Sequence, residues 1–223
     1  MHCAASTPHM ANSVEKRVAL VDGLSKEFPD RDFVTNVTAS ASRAGYTFDY
    51  YPAEATTLGL FTNLPMLNYS LIILRTHGGF YGPLTTSQPY SNQQYVASQL
   101  LDEVGAVNVS GTVYFSMTPK GITNLLCGQF PGTVILAMGC GSDSNLANQG
   151  SAFVGRGARV LLAWDTWVGI YHSDLAYEIV TKMLLESNTI AASIQGSLAR
   201  IGPDPLYGAN LHYFPGTEAQ FVL

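Results

Sequence analysis

Charge is scarce in this chain of 223 residues: only 12% are Asp, Glu, Lys or Arg, and the formal net charge is −5. Lys and Arg form no cluster, which argues against a nucleic-acid or anionic-membrane surface. Long apolar runs are missing too. Stretches such as Leu71-Ile72-Ile73-Leu74 are far too short to cross a bilayer, so no transmembrane segment is expected. Cysteine is limited to Cys3, Cys127 and Cys140, an odd number without short spacing, which fits neither a disulfide framework nor a zinc site. No His-x-x-x-His pair and no Asp-rich loop offers metal-ligand spacing. Val21-Asp22-Gly23 runs into Leu24-Ser25 without a G-x-G-x-x-G, so a dinucleotide site has no support. No metal and no cofactor are therefore expected. Against these absences stands a hydrophobic content of 47%, which excludes a disordered chain.

Residues 1–14 read as a leader or tag outside the fold. The segment Cys3-Ala4-Ala5-Ser6 has a second reading, the mature start of a lipoprotein, which would put the chain at the cell envelope. Otherwise the expectation is a soluble, cytoplasmic protein. Residues 15–223 read as a single α/β domain. Apolar strands are expected at 16–23, 46–51, 70–75, 132–138 and 159–164, with an edge strand at 211–215 where Pro215 is tolerable. Helices are expected at 31–44 (capped by Asp30 or Asp32), 57–64, 148–155, 172–186 and 189–200. In the helix over 172–186, Leu175, Ile179 and Met183 suggest the apolar face. Residues 77–131 break the alternation. They read as an excursion with a small hairpin or extra sheet around Val113-Tyr114-Phe115 and a helix near 119–127. The continuous hydrophobicity of 71–74 fits the centre of a mostly parallel sheet covered on both faces.

In such sheets, ligands bind at the carboxyl ends of the strands. The third strand runs into Arg75-Thr76-His77-Gly78-Gly79, the fourth into Gly139-Cys140-Gly141-Ser142-Asp143, and the fifth into Asp165-Thr166-Trp167. A His and a Cys thus leave the same edge from strands expected to be neighbours. Such a pair is a minimal nucleophile and base, since the imidazole takes the thiol proton and the thiolate attacks a carbonyl. Gly78, Gly79, Gly139 and Gly141 would let backbone approach a substrate and offer unobstructed N–H groups. Cys127, inside Leu125-Leu126-Cys127, reads as a core thiol. His172 reads as a helix start or cap, and His212 as part of an aromatic edge strand. Phe80, Tyr81 and Tyr90 are candidates for a lid.

The blocks Leu71-Ile72-Ile73-Leu74-Arg75-Thr76-His77-Gly78 and Val134-Ile135-Leu136-Ala137-Met138-Gly139-Cys140 resemble the clan CD cysteine peptidases, the group of caspases, gingipains, legumains, clostripain and separase. The resemblance covers roughly residues 16–170 and rests on these two short blocks and their order. The Gly-Cys form looks more like separase and its prokaryotic relatives than like caspases. No Gln-Ala-Cys pentapeptide is present, and Met138 stands where several relatives carry Asp. The resemblance implies a caspase-like three-layer sandwich and a cysteine endopeptidase acting on a peptide or protein. Cys140 would be the nucleophile and His77 the acid/base, a dyad without an obvious third member. The N–H groups of Gly78 and Cys140 would hold the oxyanion. Trp164, Asp165 and Trp167 would line the substrate pocket. Asp165 or Asp143 would favour Arg or Lys before the scissile bond. Lys120 and Arg156 are candidate processing points. An exposed edge strand could pair two copies as a homodimer. Two other readings stand beside this one. One is an amidohydrolase- or amidotransferase-like enzyme whose base is His172 or His212. The other is a non-catalytic caspase-like binding module.

Overall fold

A computed structural model describes residues 16–78, 84–141 and 143–223, with backbone alone for 143–145. The leader with His2, Cys3 and His9, the expected lid residues Phe80 and Tyr81, and the side chain of Asp143 lie outside the described residues.

The first strand, β1 (Arg17–Asp22), is buried along nearly its whole length. Helix α1 (Arg31–Arg43) follows, capped by Asp30, whose carboxylate accepts the Phe33 N–H at 2.9 Å. Strand β2 (Thr47–Tyr51) leads through a 3-10 turn (Ala53–Ala55) to helix α2 (Leu58–Asn63) and strand β3 (Leu71–Arg75). The excursion then builds β4 (Thr85–Pro89), α3 (Val96–Leu100), β5 (Val104–Val109), β6 (Thr112–Met117) and α4 (Pro119–Leu125). The main alternation resumes with β7 (Val134–Ala137), α5 (Asp143–Gly155) and β8 (Val160–Trp164). It ends with α6 (Ile170–Leu185), α7 (Ile190–Ile201) and β9 (Leu211–Phe214).

The main sheet has the order β2-β1-β3-β7-β8-β9, parallel except for β9 at one edge. The central strands β3, β7 and β8 are buried at every position. Their alternate residues feed two cores. Ile72, Leu74, Ile135 and Leu161 meet α2, α4 and α5 on one face. Leu71, Ile73, Leu136 and Leu162 meet α1, α6 and α7 on the other. Each fully buried Leu or Ile contributes roughly 1.5–3 kcal/mol, so the strands cannot slip register without turning both cores out. The excursion forms its own antiparallel sheet, β4-β6-β5.

Two expectations are corrected. Helix α5 starts at Asp143, well before 148, because the polar stretch ahead of 148 reads as loop by composition yet supplies residues suited to a first helical turn. The core face of α6 is Ser173, Ala176, Tyr177, Val180, Thr181 and Leu184, not the stripe of Leu175, Ile179 and Met183. Leu175 is 47% exposed, and the Met183 sulfur lies against Gly196 of α7. Small and hydroxyl side chains fit the tight space over β7 and β8, and Ser173, Thr181 and Tyr177 carry no strong apolar signal.

Candidate active site

The end of β3 and the end of β7 meet through their backbones. The Met138 N–H donates to the Leu74 carbonyl at 3.0 Å, and the paired register Leu74–Ala137, continued past the strands, sets His77 beside Cys140. A Cβ on Gly78 would fall 1.9 Å from the Cys140 carbonyl oxygen and 2.6 Å from its nitrogen. A Cβ on Gly139 would fall 2.4 Å from the Gly78 nitrogen. Gly141 is similarly pressed on Trp164, its absent Cβ 1.9 Å from the Trp164 carbonyl oxygen. These glycines thus let the three strand ends approach one another, a different use from the expected close approach to a substrate. Gly78→Ala is expected to force the His77 and Cys140 segments apart and to destabilise the fold by about 3 kcal/mol. A urea transition together with Cys140 alkylation would read both effects.

Cys140 is half-buried, and it is the free cysteine among the described residues. Its thiol points toward the Val168 carbonyl at 3.8 Å. Cys127 is buried, as expected, but is disulfide-bonded rather than a plain core thiol. The His77 imidazole is partly exposed. Its Nε2 sits 2.8 Å from Glu27 Oε2, and the Phe28 ring meets it edge-on at 6.3 Å between centroids. Among the described residues, no hydrogen bond occupies His77 Nδ1 and none joins the imidazole to the thiol. Unliganded catalytic pairs often have this loose geometry. A carboxylate on one ring nitrogen fixes the tautomer and leaves the other nitrogen to act on the thiol.

Glu27 was missed in the sequence, where no third member of the dyad was evident. The signal was positional. Glu27 follows β1, the strand beside β3, at the carboxyl edge of the sheet.

Beneath this edge lies a buried ionic cluster. Arg75 is 1% exposed. It grips Asp174 of α6 with Nε at 2.7 Å and Nη2 at 2.8 Å, and Asp22 of β1 with Nη1 at 2.8 Å. Its Nη2 also donates to the Phe28 carbonyl at 2.7 Å, which pins the loop carrying Glu27. Burial opposes the charge on Arg75, but the hydrogen bonds and charges of the two carboxylates outweigh it and hold the guanidinium protonated. Burial pushes the carboxyls of Asp22 and Asp174 above the usual range, against the pull of Arg75. Two carboxylates share one cation, so both directions hold together.

The expected pocket residues separate. Trp164 is core, 2% exposed; its indole N–H donates to Ser173 Oγ at 3.0 Å, and that hydroxyl donates to the Met138 carbonyl at 2.8 Å. Asp165 is turned to β9. Its carboxylate accepts the Asn210 N–H at 2.9 Å and lies 3.2 Å from His212 Nε2. Trp167 is 65% exposed, one residue before the Val168 carbonyl that faces Cys140. His172 lies in the first turn of α6 after the cap Gly169, with its Nε2 buried and unpartnered among the described residues, against the Trp164 ring. It does not cap the helix. Tyr90 packs on Phe115 at 5.1 Å and donates to Gln99, so it belongs to the accessory sheet rather than to a lid. No group of three or more His, Cys, Asp or Glu among the described residues could hold a metal ion. No family model matches the chain, and no curated protein matches it at a significant level.

Proposed function

We propose that the chain is a cysteine endopeptidase of the clan CD kind, built on a caspase-like three-layer sandwich. The observation that carries the reading is the junction itself. His77 and Cys140 leave neighbouring parallel strands whose ends touch, and a carboxylate holds the imidazole. In the proposed reaction the Cys140 thiol gives its proton to His77, and the thiolate attacks the peptide carbonyl carbon. The oxyanion forms beside the N–H groups of Gly78 and Cys140, each contributing roughly 3 kcal/mol. As the intermediate collapses, the C–N bond breaks and His77 protonates the departing nitrogen. A water, deprotonated by His77, then attacks the thioester, frees the acid and restores the thiol. Glu27 is the positioning residue for His77.

Two carboxylates are candidates for a basic preference before the scissile bond: Asp165, which is engaged by Asn210 and His212, and Asp143, whose side chain lies outside the described residues. Trp167, exposed and one residue before the Val168 carbonyl that faces Cys140, supplies aromatic surface to the substrate in this reading.

The reading is tested by the rate of Cys140 alkylation by iodoacetamide near neutral pH in single variants of His77, His172 and His212. Only His77→Ala should slow it strongly, by about tenfold or more. Loss with His172→Ala or His212→Ala instead would favour the amidotransferase-like reading. A wild-type thiol no more reactive than a free one would favour a binding module.

A further inference from the structure

We propose that the cleft beside His77 holds the leaving segment of a polypeptide substrate, the residues that follow the cleaved bond, and that Lys26 and Glu54 set the charge it accepts. The inference rests on the peptidase reading and adds the direction in which the substrate lies. The cleft has a volume of about 280 Å³. It is bounded by Lys26 and Glu27 after β1, by Glu54 in the turn after β2, and by Ser87 and Tyr114 of the accessory sheet, with His77 in its wall. Cys140 does not border it. The Cys140 sulfur faces the Val168 carbonyl instead, next to the exposed Trp167.

Acyl transfer tells these two sides apart. When the C–N bond breaks, the acyl carbon stays on the Cys140 sulfur and the nitrogen departs with the proton from His77. The chain attached to that nitrogen therefore leaves from the imidazole side, where the cleft opens. The acyl portion lies over Cys140, Val168 and Trp167. The cleft walls are polar. Lys26 and Glu54 bridge two of them at 2.8 Å, with side chains 67% and 59% exposed. So exposed a pair is weakly held, and either partner can turn to a charge on the substrate. Glu27 is committed to His77, and Ser87 Oγ donates to the Gly23 carbonyl at 3.0 Å, which fixes the accessory sheet against the loop.

The test digests a proteome-derived peptide mixture and reads residue usage on both sides of the cleaved bonds. Lys26→Glu should enrich Lys and Arg about fivefold at one of the first positions after the bond, with usage before the bond unchanged. The exchanged pair Lys26→Glu with Glu54→Lys should restore the wild-type pattern. Enrichment before the bond, or an unchanged pattern from an active variant, would overturn the cleft assignment and leave the peptidase reading intact. A wild type that cleaves no peptide, with Cys140 alkylation indifferent to His77, would overturn both.

Discussion

Cys140→Ala is expected to lower kcat/KM for peptide hydrolysis on the order of 10⁴-fold or more. The loss is large because, in the proposed reaction, the sulfur forms the bond that replaces the C–N bond, and no other free thiol is present among the described residues. His77→Ala should approach the same floor, since nucleophile and base act as a unit and their effects do not add. Glu27→Gln should be milder, on the order of 10²-fold. Its amide can still meet the imidazole but no longer supports the positive charge formed on it. The decrease should fall on kcat, with KM and the thermal midpoint little changed, because Glu27 is partly exposed and packs little. A fluorogenic peptide panel varying the residue before the bond would measure all three variants. Full activity in Cys140→Ala would remove the proposed nucleophile.

Arg75→Met should lower the unfolding free energy by about 3–5 kcal/mol, read from urea or guanidinium transitions. The substitution leaves two buried carboxylates facing each other and the Phe28 carbonyl without its donor. Asp174→Asn should be far less damaging, because Arg75 keeps one carboxylate and the cluster becomes neutral. Its pH dependence has a definite sign. Folding raises the carboxyl pKa of Asp22 and Asp174 above the usual 3.8. The stability these groups lend is complete below that value and is lost as pH climbs through the raised values. Asp174→Asn should therefore gain stability relative to wild type across that interval. The other groups facing the cluster are Asp30, whose charge acts on Asp174, and the Tyr50 hydroxyl, which donates to Asp22 at 3.2 Å. A difference constant from about pH 3 to 7 would show that the two carboxyls do not titrate upward. Because Arg75 also pins the loop bearing Glu27, Arg75→Met should slow Cys140 alkylation even where it remains folded.

Much of the strand framework was legible because buried parallel strands are written as continuous apolar runs. Leu71–Leu74 and Val134–Ala137 need no partner to be recognised. The accessory sheet was harder. Thr85–Pro89 is polar up to its closing Pro and pairs irregularly with β6, and Val104–Val109 alternates toward solvent with Gly105 and Asn108 in its run, so neither carries a continuous apolar signal. Only Val113-Tyr114-Phe115 stood out. The α6 stripe failed for a related reason. Leu175 is exposed and Met183 meets α7, while the face over the sheet mixes Val180 and Leu184 with Ser173, Ala176, Tyr177 and Thr181. Arg75 carried a signal that went unread, a charge at the end of an otherwise apolar strand, which requires buried partners.

The sequence by itself determined the α/β alternation, the mostly parallel sheet, and the exit of His77 and Cys140 at one edge, because strand period is a local pattern and strands joined by helical crossovers run parallel, with their carboxyl ends on the same side. Only the tertiary structure decided that Glu27 meets His77, that Arg75 is shared by Asp22 and Asp174, and that Trp164 enters the core while Asp165 binds Asn210 and His212. Apart from the Trp164–Ser173 bond, which spans nine positions, these contacts join residues tens of positions apart. Such pairings depend on which strand ends lie side by side and on which face a side chain leaves, and local sequence pattern encodes neither.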